Sequence, residues 1–429
     1  MTMKFDLRAL ALCAGASWLA TLSPAAAQGL DTGMGRAFDA DRNVSVRERP
    51  RPEYDALGLR QGSFLIYPKV ALETEYNDNV LATSRKSDDI ILRATPEVTV
   101  RSNWSRNALV AFARANHDQY RDFSSDNTTD WRVGGRANVE IGRGGLVLGG
   151  ETGQLTQPRY STDTPTIAAS PIQYHQDVLL AQFGQELNRL RLTGRTDFRK
   201  QDFEDGRDFN GGVIPQDFRD HTVTGLSGKA EYAISPDTAV FVSGGFNRRR
   251  YDLTPPQVSL NRDSEGFELT GGVNFDITRL VRGEVQLGYL RQEYKEAQFG
   301  NISGLAGRGQ VEWFPTQLTT VTFTGERSVE ESATLTASGY LDTRLTAQVD
   351  HELRRNVILT ARAGFEDAEY KNIDRRDRFW SGSVAANWLI NRRLGLAATY
   401  SRLSQESSGA VRRPDFNVNR FIVSLVVQL

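Results

Sequence analysis

The 429-residue chain holds a single cysteine, Cys13, close to its beginning. Everything downstream is therefore barred from forming a disulfide or a cysteine-based metal site. Long apolar runs are missing as well. Beyond Ala9 to Leu22, no stretch approaches the roughly 18 continuous apolar residues that a spanning helix needs. Charge of one sign is not in excess either: 52 Lys and Arg stand against 53 Asp and Glu, a net charge of −1. Losing Lys4, Asp6 and Arg8 with a leader would shift that only to about −2. A near-neutral chain suits nucleic acid poorly, so none is expected as a partner. Helical periodicity is also absent, since apolar residues recur at a spacing of two. Glycine, at 38 residues, is well above proline, at 14. The mean hydropathy of −0.45 would pass for that of a soluble protein.

What is present begins with a secretory leader. Lys4 and Arg8 supply a positive start, Ala9 to Leu22 an apolar run, and Ala25-Ala26-Ala27 a small-residue cleavage site before Gln28. Leu12 before an early Cys13 does not fit a lipoprotein signal. Residues 1–27 are thus expected to be removed on Sec-type export, with cleavage near Ala27–Gln28. Residues 28–61 are polar, rich in Arg, Asp and Pro, and without periodicity. They are expected to form a mobile or loosely docked periplasmic arm, ahead of a patterned region over 62–429.

The last ten residues run Arg420-Phe-Ile-Val-Ser-Leu-Val-Val-Gln-Leu429. Phe421, Val423, Leu425, Val427 and Leu429 share one wholly apolar face; Arg420, Ser424 and Gln428 lie on the other with Ile422 and Val426. A chain ending on a complete strand suits a closed barrel in an outer membrane, where the last strand pairs with the first and leaves no edge in lipid. Only every second residue of such a strand meets lipid, so a soluble-looking composition is no objection. Upstream, Val70, Leu72, Thr74 and Tyr76 alternate with Ala71, Glu73 and Glu75. Ile90 to Val100 alternates with Arg93, Thr95, Glu97, Thr99 and Arg101, and Trp131 to Ile141 with Arg132, Arg136, Asn138 and Glu140. Residues 267–277, 341–349 and 380–390 do likewise, while Ala108 to Tyr120 leaves its facing open.

The connections alternate in length. Short turns fall near Ser105, Gly144, Asn188-Arg189, Ser235-Pro-Asp237, Thr278-Arg279, Pro315-Thr-Gln317, Arg354-Arg355 and Asn391-Arg392. Between them lie longer polar loops near 77–88, 121–129, 156–173, 204–219, 253–263, 295–301, 332–338, 371–376 and 407–415. The expected fold is all-β: a transmembrane antiparallel up-and-down β-barrel of about 18 strands, with short periplasmic turns and longer extracellular loops. A propeller or secreted solenoid shares the repeat length but would not alternate its turns so strictly. Trp131, Tyr232, Tyr289, Trp313, Trp380, Trp388, Tyr400 and Phe421 sit near strand ends, as interface girdles require, although aromatics favour any strand.

If the apolar face meets lipid, the polar face lines a lumen. The basic candidates are Arg93, Arg101, Arg132, Arg136, Arg191, Arg195, Arg199, Arg282, Arg308, Arg344 and Arg362. The acidic ones are Glu73, Glu75, Glu97, Glu140, Asp197, Glu231, Glu268, Glu284, Glu312, Glu326, Asp342 and Glu366. Two readings stay open: a ladder of ion pairs that stiffens the wall, or a selectivity lining whose guanidiniums bind anionic solutes. Signals for catalysis are thin. His117-Asp118, Asp220-His221 and His175 near Asp177 place imidazoles beside carboxylates, but neighbours on a strand point to opposite faces. Asp205-Gly-Arg-Asp208 with Asn210-Gly-Gly212 could hold calcium, yet it reads as readily as an ordinary loop. No cofactor and no metal site are expected.

The run Arg51-Pro-Glu-Tyr-Asp-Ala-Leu-Gly-Leu-Arg60, then Gly62-Ser-Phe-Leu-Ile-Tyr-Pro68 and Tyr76-Asn-Asp-Asn-Val80, resembles the opening of the putative β-barrel porin type 2 family of proteobacteria. The likeness extends more loosely to the C-terminus, where Leu429 replaces the aromatic residue that ends most outer-membrane proteins. The resemblance implies an outer-membrane barrel, some of whose relatives are linked to exopolysaccharide production. The expected function is a porin-like passive channel for polar solutes, extending to exopolysaccharide export if that link carries over, and not an enzyme. A non-conducting structural or adhesion barrel is the alternative, with a hydrolase third. Outer-membrane lipid, the barrel assembly machinery and polysaccharide export components are the expected partners.

Overall fold

The computed structural model describes residues 44–162, 164, 168–334 and 336–429. The expected leader, its cleavage site and residues 28–43 of the arm lie outside the described residues. Long strands follow one another in chain order: β1 (Phe64–Asn77), β2 (Asp89–Ser102), β3 (Ala108–Tyr120), β4 (Thr128–Ile141), β5 (Gly144–Thr156) and β6 (Gln173–Leu187). Then come β7 (Leu190–Phe203), β8 (His221–Ser235), β9 (Thr238–Tyr251), β10 (Ser264–Ile277), β11 (Val281–Tyr294) and β12 (Ile302–Thr316). The wall ends with β13 (Thr319–Glu330), β14 (Tyr340–Arg354), β15 (Val357–Tyr370), β16 (Arg376–Leu389), β17 (Leu394–Ser408) and β18 (Phe416–Gln428).

Each strand pairs antiparallel with the next, and β18 returns to β1, in register from Lys69↔Gln428 to Asn77↔Arg420. The result is the expected closed, all-β barrel of 18 strands. Closure gives every wall strand a partner on both sides, which a backbone in lipid requires. The seam is finished at the last residue: Leu429 N–H donates to the Pro68 carbonyl at 3.2 Å, and Gly58 N–H donates to the Leu429 carbonyl at 3.3 Å. Gly58 reaches that position from a short strand, Leu59–Gln61, that doubles back on Phe64–Ile66.

The strands are 12 to 15 residues long, where a crossing takes roughly 9–11. The surplus carries their ends out of lipid. The connections at one end are short, such as 142–143, 188–189 and 278–280, and those at the other are long, including 78–88, 157–172, 204–220 and 252–263. Three short turns rest on left-handed backbone, with φ of 59° at Gly142, 55° at Asn188, and 58° and 60° at Thr278 and Arg279. That twist is what a two-residue hairpin needs between right-twisted strands.

The outer surface is apolar with an aromatic band near each end. Trp131, Tyr289 and Trp380 lie toward the loops, Tyr232, Trp313 and Trp388 toward the turns, and Tyr400 and Phe421 near mid-strand, each 41–55% exposed. On β18 Phe421, Val423, Leu425 and Val427, with Leu429 just beyond, are exposed on this surface, while Ile422 and Ser424 are buried inside. β3, whose facing the sequence leaves open, turns Val110, Phe112, Arg114, Asn116 and Asp118 inward. Its outward positions include Ala111, Ala113 and Ala115, too small to stand out against the inward Val110 and Phe112.

Candidate functional site

By strand parity the lumen candidates Arg93, Arg132, Arg136, Arg191, Arg195, Arg199, Arg282, Arg308, Arg344, Arg362, Glu73, Glu97, Glu140, Glu284 and Glu366 all lie on the inner face. Alternation at a period of two brings them there together. They divide into local clusters rather than one continuous ladder. Arg93 lies at the centre of the first, with Asp118 at 2.6 Å, Glu75 at 3.3 Å and Glu73 at 3.4 Å. Glu97 meets Lys69 at 3.5 Å. Arg136 donates to Asn138 at 3.1 Å, and Arg195 faces Asp197 at 3.4 Å. Arg191 stands in register with both Glu186 and Glu231, and Arg199 lies between Val178 and Val223. Across the barrel, Lys229 joins Glu284 at 2.8 Å, Arg308 pairs with Glu326, and Arg344 with Asp342 and Glu366. Arg362 stands in register with Gln348 and Ser383. Glu140 faces only Arg106 in the adjoining turn, at 3.5 Å.

At mid-height the interior is open around its charged side chains. Arg308 and Glu326 point inward, yet their side chains are 61% and 38% exposed. The wall thus encloses space around both side chains that is large enough for water. Toward each end the bore is narrowed by chain that is not part of the wall.

The turn end is occupied by the segment Ser45 to Asp55, part of the region expected to be a loose arm. The docking is specific instead. Val46 N–H donates to Thr320 Oγ1 at 3.0 Å, and Arg47 pairs with Asp350 at 2.9 Å. Arg49 and Arg51 converge on Glu352 at 2.9 and 3.1 Å. Glu48 reaches Arg282 at 2.9 Å, which also holds Glu312 at 2.6 Å. Arg355 and Arg392, in the turns, donate to the carbonyls of Pro50 and Pro52. Arg51 is buried, and its desolvation lowers its pKa while Glu352 opposes the shift. Sequence reasoning missed Asp350 and Glu352. Their parity with Asp342 and Arg344 was the available signal, one strand end further on.

At the loop end, residues 157–162 of the β5–β6 connection fold inward toward β16, β17 and β18. Arg159 pairs with Asp126 at 2.5 Å and donates to the carbonyls of Ala168 and Ala169. Tyr160 packs against Ala82, Phe379, Leu403, Phe416 and Val418, with the Arg420 guanidinium over its ring. Arg375 and Arg413 hold the Thr162 carbonyl from the far side. Beneath this loop lies a cavity of about 300 Å³, lined by Lys69, Glu73, Arg93, Glu97, Arg114, Asp118, Asp130, Arg132 and Arg420 among others.

The histidine–carboxylate neighbours do not converge. His117 faces outward to Thr129 while Asp118 serves Arg93 inside. His175 and Asp177 meet at 3.3 Å on the outer surface. His221 is buried against Tyr251, and its Nδ1 lies 2.6 Å from the Arg219 carbonyl, whereas Asp220 accepts from Phe203 N–H. In the loop over 204–220, Asp208 accepts from the backbone N–H of Asn210 and Gly212, and Asp205 from that of Gln216. Those carboxylates brace a small ribbon, Gly206–Arg207 with Val213–Ile214.

No curated protein matches the chain. Among solved structures it is similar to the outer-membrane protein OpdK of Pseudomonas aeruginosa, at 12% identity and a TM-score of 0.43, covering 85% of this chain and 99% of that one. OpdO of the same organism matches at 11% identity and a TM-score of 0.44, covering 86% and 98%. OccAB3 of Acinetobacter baumannii matches at 11% and 0.42, covering 85% and 99%. The family described as Putative beta-barrel porin 2 matches residues 51–429, and the chain therefore belongs to that family, as a porin-like β-barrel of the outer membrane.

Proposed function

We propose that this barrel is a passive conduit for polar solutes, held closed at its periplasmic end by its own N-terminal segment. The observation that carries the reading is the open interior at Arg308 and Glu326. An 18-strand wall leaves room for an aqueous bore. Charged side chains keep that bore hydrated, and nothing in it needs an energy source to let a solute through. The closure follows from chemistry at the turn end, where arginines of residues 47–51 meet carboxylates of β14 in a partly desolvated site.

Planar-bilayer conductance and entry of galactose into liposomes test both parts. The full chain is expected to conduct weakly, and the R47Q/R49Q/R51Q variant several-fold more. Equal currents from the two would remove the closure from the reading. If neither passes ions or galactose, the barrel is not a conduit.

A further inference from the structure

Arg114 on β3 and Arg132 on β4 are direct cross-strand neighbours on the inner face, and both line the cavity beneath the inward loop. Like charges set opposite each other on a sheet repel. Such a pair is ordinarily bridged by a shared carboxylate; here none bridges it. Arg114 makes no hydrogen bond or salt bridge among the described residues. Its neighbour on β2, Glu97, is taken by Lys69. Arg132 pairs with Glu151 on the far side, at 3.7 Å. Opposite Arg132 on β5, Gly153 leaves space for the arginine stem, since a Cβ there would stand 2.7 Å from Arg132 Cγ. The wall thus sets two guanidiniums side by side, with Glu97 next to one and Glu151 next to the other but neither bridging the pair.

We propose that Arg114 and Arg132 form a binding site for an anionic solute, whose carboxylate or phosphate bridges the two guanidiniums. The proposal rests on the conduit reading and names the class of its cargo. Guanidinium forks match a carboxylate or phosphate through paired, charge-assisted hydrogen bonds. Burial beneath the loop strengthens those bonds relative to open water. An anion between the arginines also cancels their mutual repulsion, so its binding relieves a cost already present in the empty wall. A cavity of about 300 Å³ is at the small end of ligand pockets, which fits a short dicarboxylate or a phosphate rather than a polymer.

Calorimetric titration of the full chain in detergent with succinate, inorganic phosphate and galactose tests the site without requiring conduction. Succinate or phosphate is expected to bind, and which of them does distinguishes a carboxylate from a phosphate site. R114Q/R132Q should weaken that binding about ten-fold or more, the scale of losing charge-assisted hydrogen bonds. R114K/R132K, which keeps the charges and loses the forks, should fall between the two. R189Q removes an exposed arginine in the turn between β6 and β7 and should bind as the parent does. If the double glutamine variant does not fold, R114Q alone carries the test. Parent-like affinity in a folded variant overturns the proposal, and so does failure of the parent to bind either anion. Loss of galactose entry with anion binding intact would instead sink the conduit and leave the site standing.

Discussion

Two stretches of inner wall crowd charges of one sign, and the chain treats them differently. From β10 to β15 the inward carboxylates Glu268, Asp276, Glu284, Glu312, Glu326, Glu330, Asp342, Asp350, Glu352 and Glu366 outnumber Arg282, Arg308, Arg344 and Arg362. The balance near the turns is made up by Arg47, Arg49 and Arg51 of the N-terminal segment. Between β3 and β4 the like charges are local, Arg114 opposite Arg132, and among the described residues no carboxylate bridges the two. Crowded charge covered by the protein's own residues is a closure; crowded charge left unbridged beside a cavity is an invitation to a ligand. The sign of the crowded charge decides what can cover it.

The largest effect should come from uncovering the acidic arc. Glu352→Gln removes the shared partner of Arg49 and Arg51, and Arg51 is only 2% exposed. Breaking a buried pair from one side costs about 3 kcal/mol, which would raise the released population of the segment roughly a hundred-fold. Amide exchange over residues 45–55 should report it, together with higher conductance. Unchanged protection at Arg47 and Arg51 would mean that packing, not charge, holds the segment.

A middle-sized effect tests what an uncovered carboxylate costs. Asp220, just ahead of β8, has no cation paired with it among the described residues. Burial first, then Asp202, Asp217 and Asp252, push its pKa up to about 6. The folded loop therefore holds a proton that the unfolded chain, near pH 4, releases. Its contribution is full below about pH 4 and declines as pH rises through 6. Exchange protection in residues 204–220 should fall over that window, and Asp220→Asn should flatten the fall. A flat profile in the parent would show that the carboxyl is solvated after all.

The smallest effect belongs to Arg106 and Glu140, in and beside the turn below the arginine pair. Arg106 is 74% exposed, so Arg106→Ala should shift stability by no more than about 0.5 kcal/mol, as read from thermal unfolding on heat-modifiable gels. A large loss would place that pair among the buried clusters.

The wall was legible in the sequence because period-two alternation writes its two faces directly. Val70, Leu72 and Tyr76 against Glu73 and Glu75 need no tertiary knowledge. Loop and turn lengths set the strand order, and the alternation at the chain end marked the closing strand. β3 was unreadable because alanines face lipid where valine or leucine would have marked the side. With it went Arg114 and Asp118, the residues that organise the cavity. The docking of Ser45–Asp55 left no trace at all. Its contacts join residues some 300 positions apart, such as Arg47 and Asp350 (a separation of 303), and an arginine-rich, proline-rich stretch has no periodicity from which to infer a seat. The inward fold of residues 157–162 was hidden for the same reason, since Tyr160 and Arg375 find their partners only across the closed barrel.

The hydrogen bond from Gly58 to the Leu429 carbonyl bears on how a closed barrel could be opened. It pins the chain at the seam, so a segment that lets go of Glu352 stays on a leash a few residues long. Short tethers of this kind hold an effective concentration on the order of millimolar. A free arginine-rich peptide would have to exceed that to keep the seat, whereas a pull on the chain ahead of Ser45 would act on the leash itself. Competition in solution is thus a poor key to this mouth, and mechanical or covalent removal of the segment a good one.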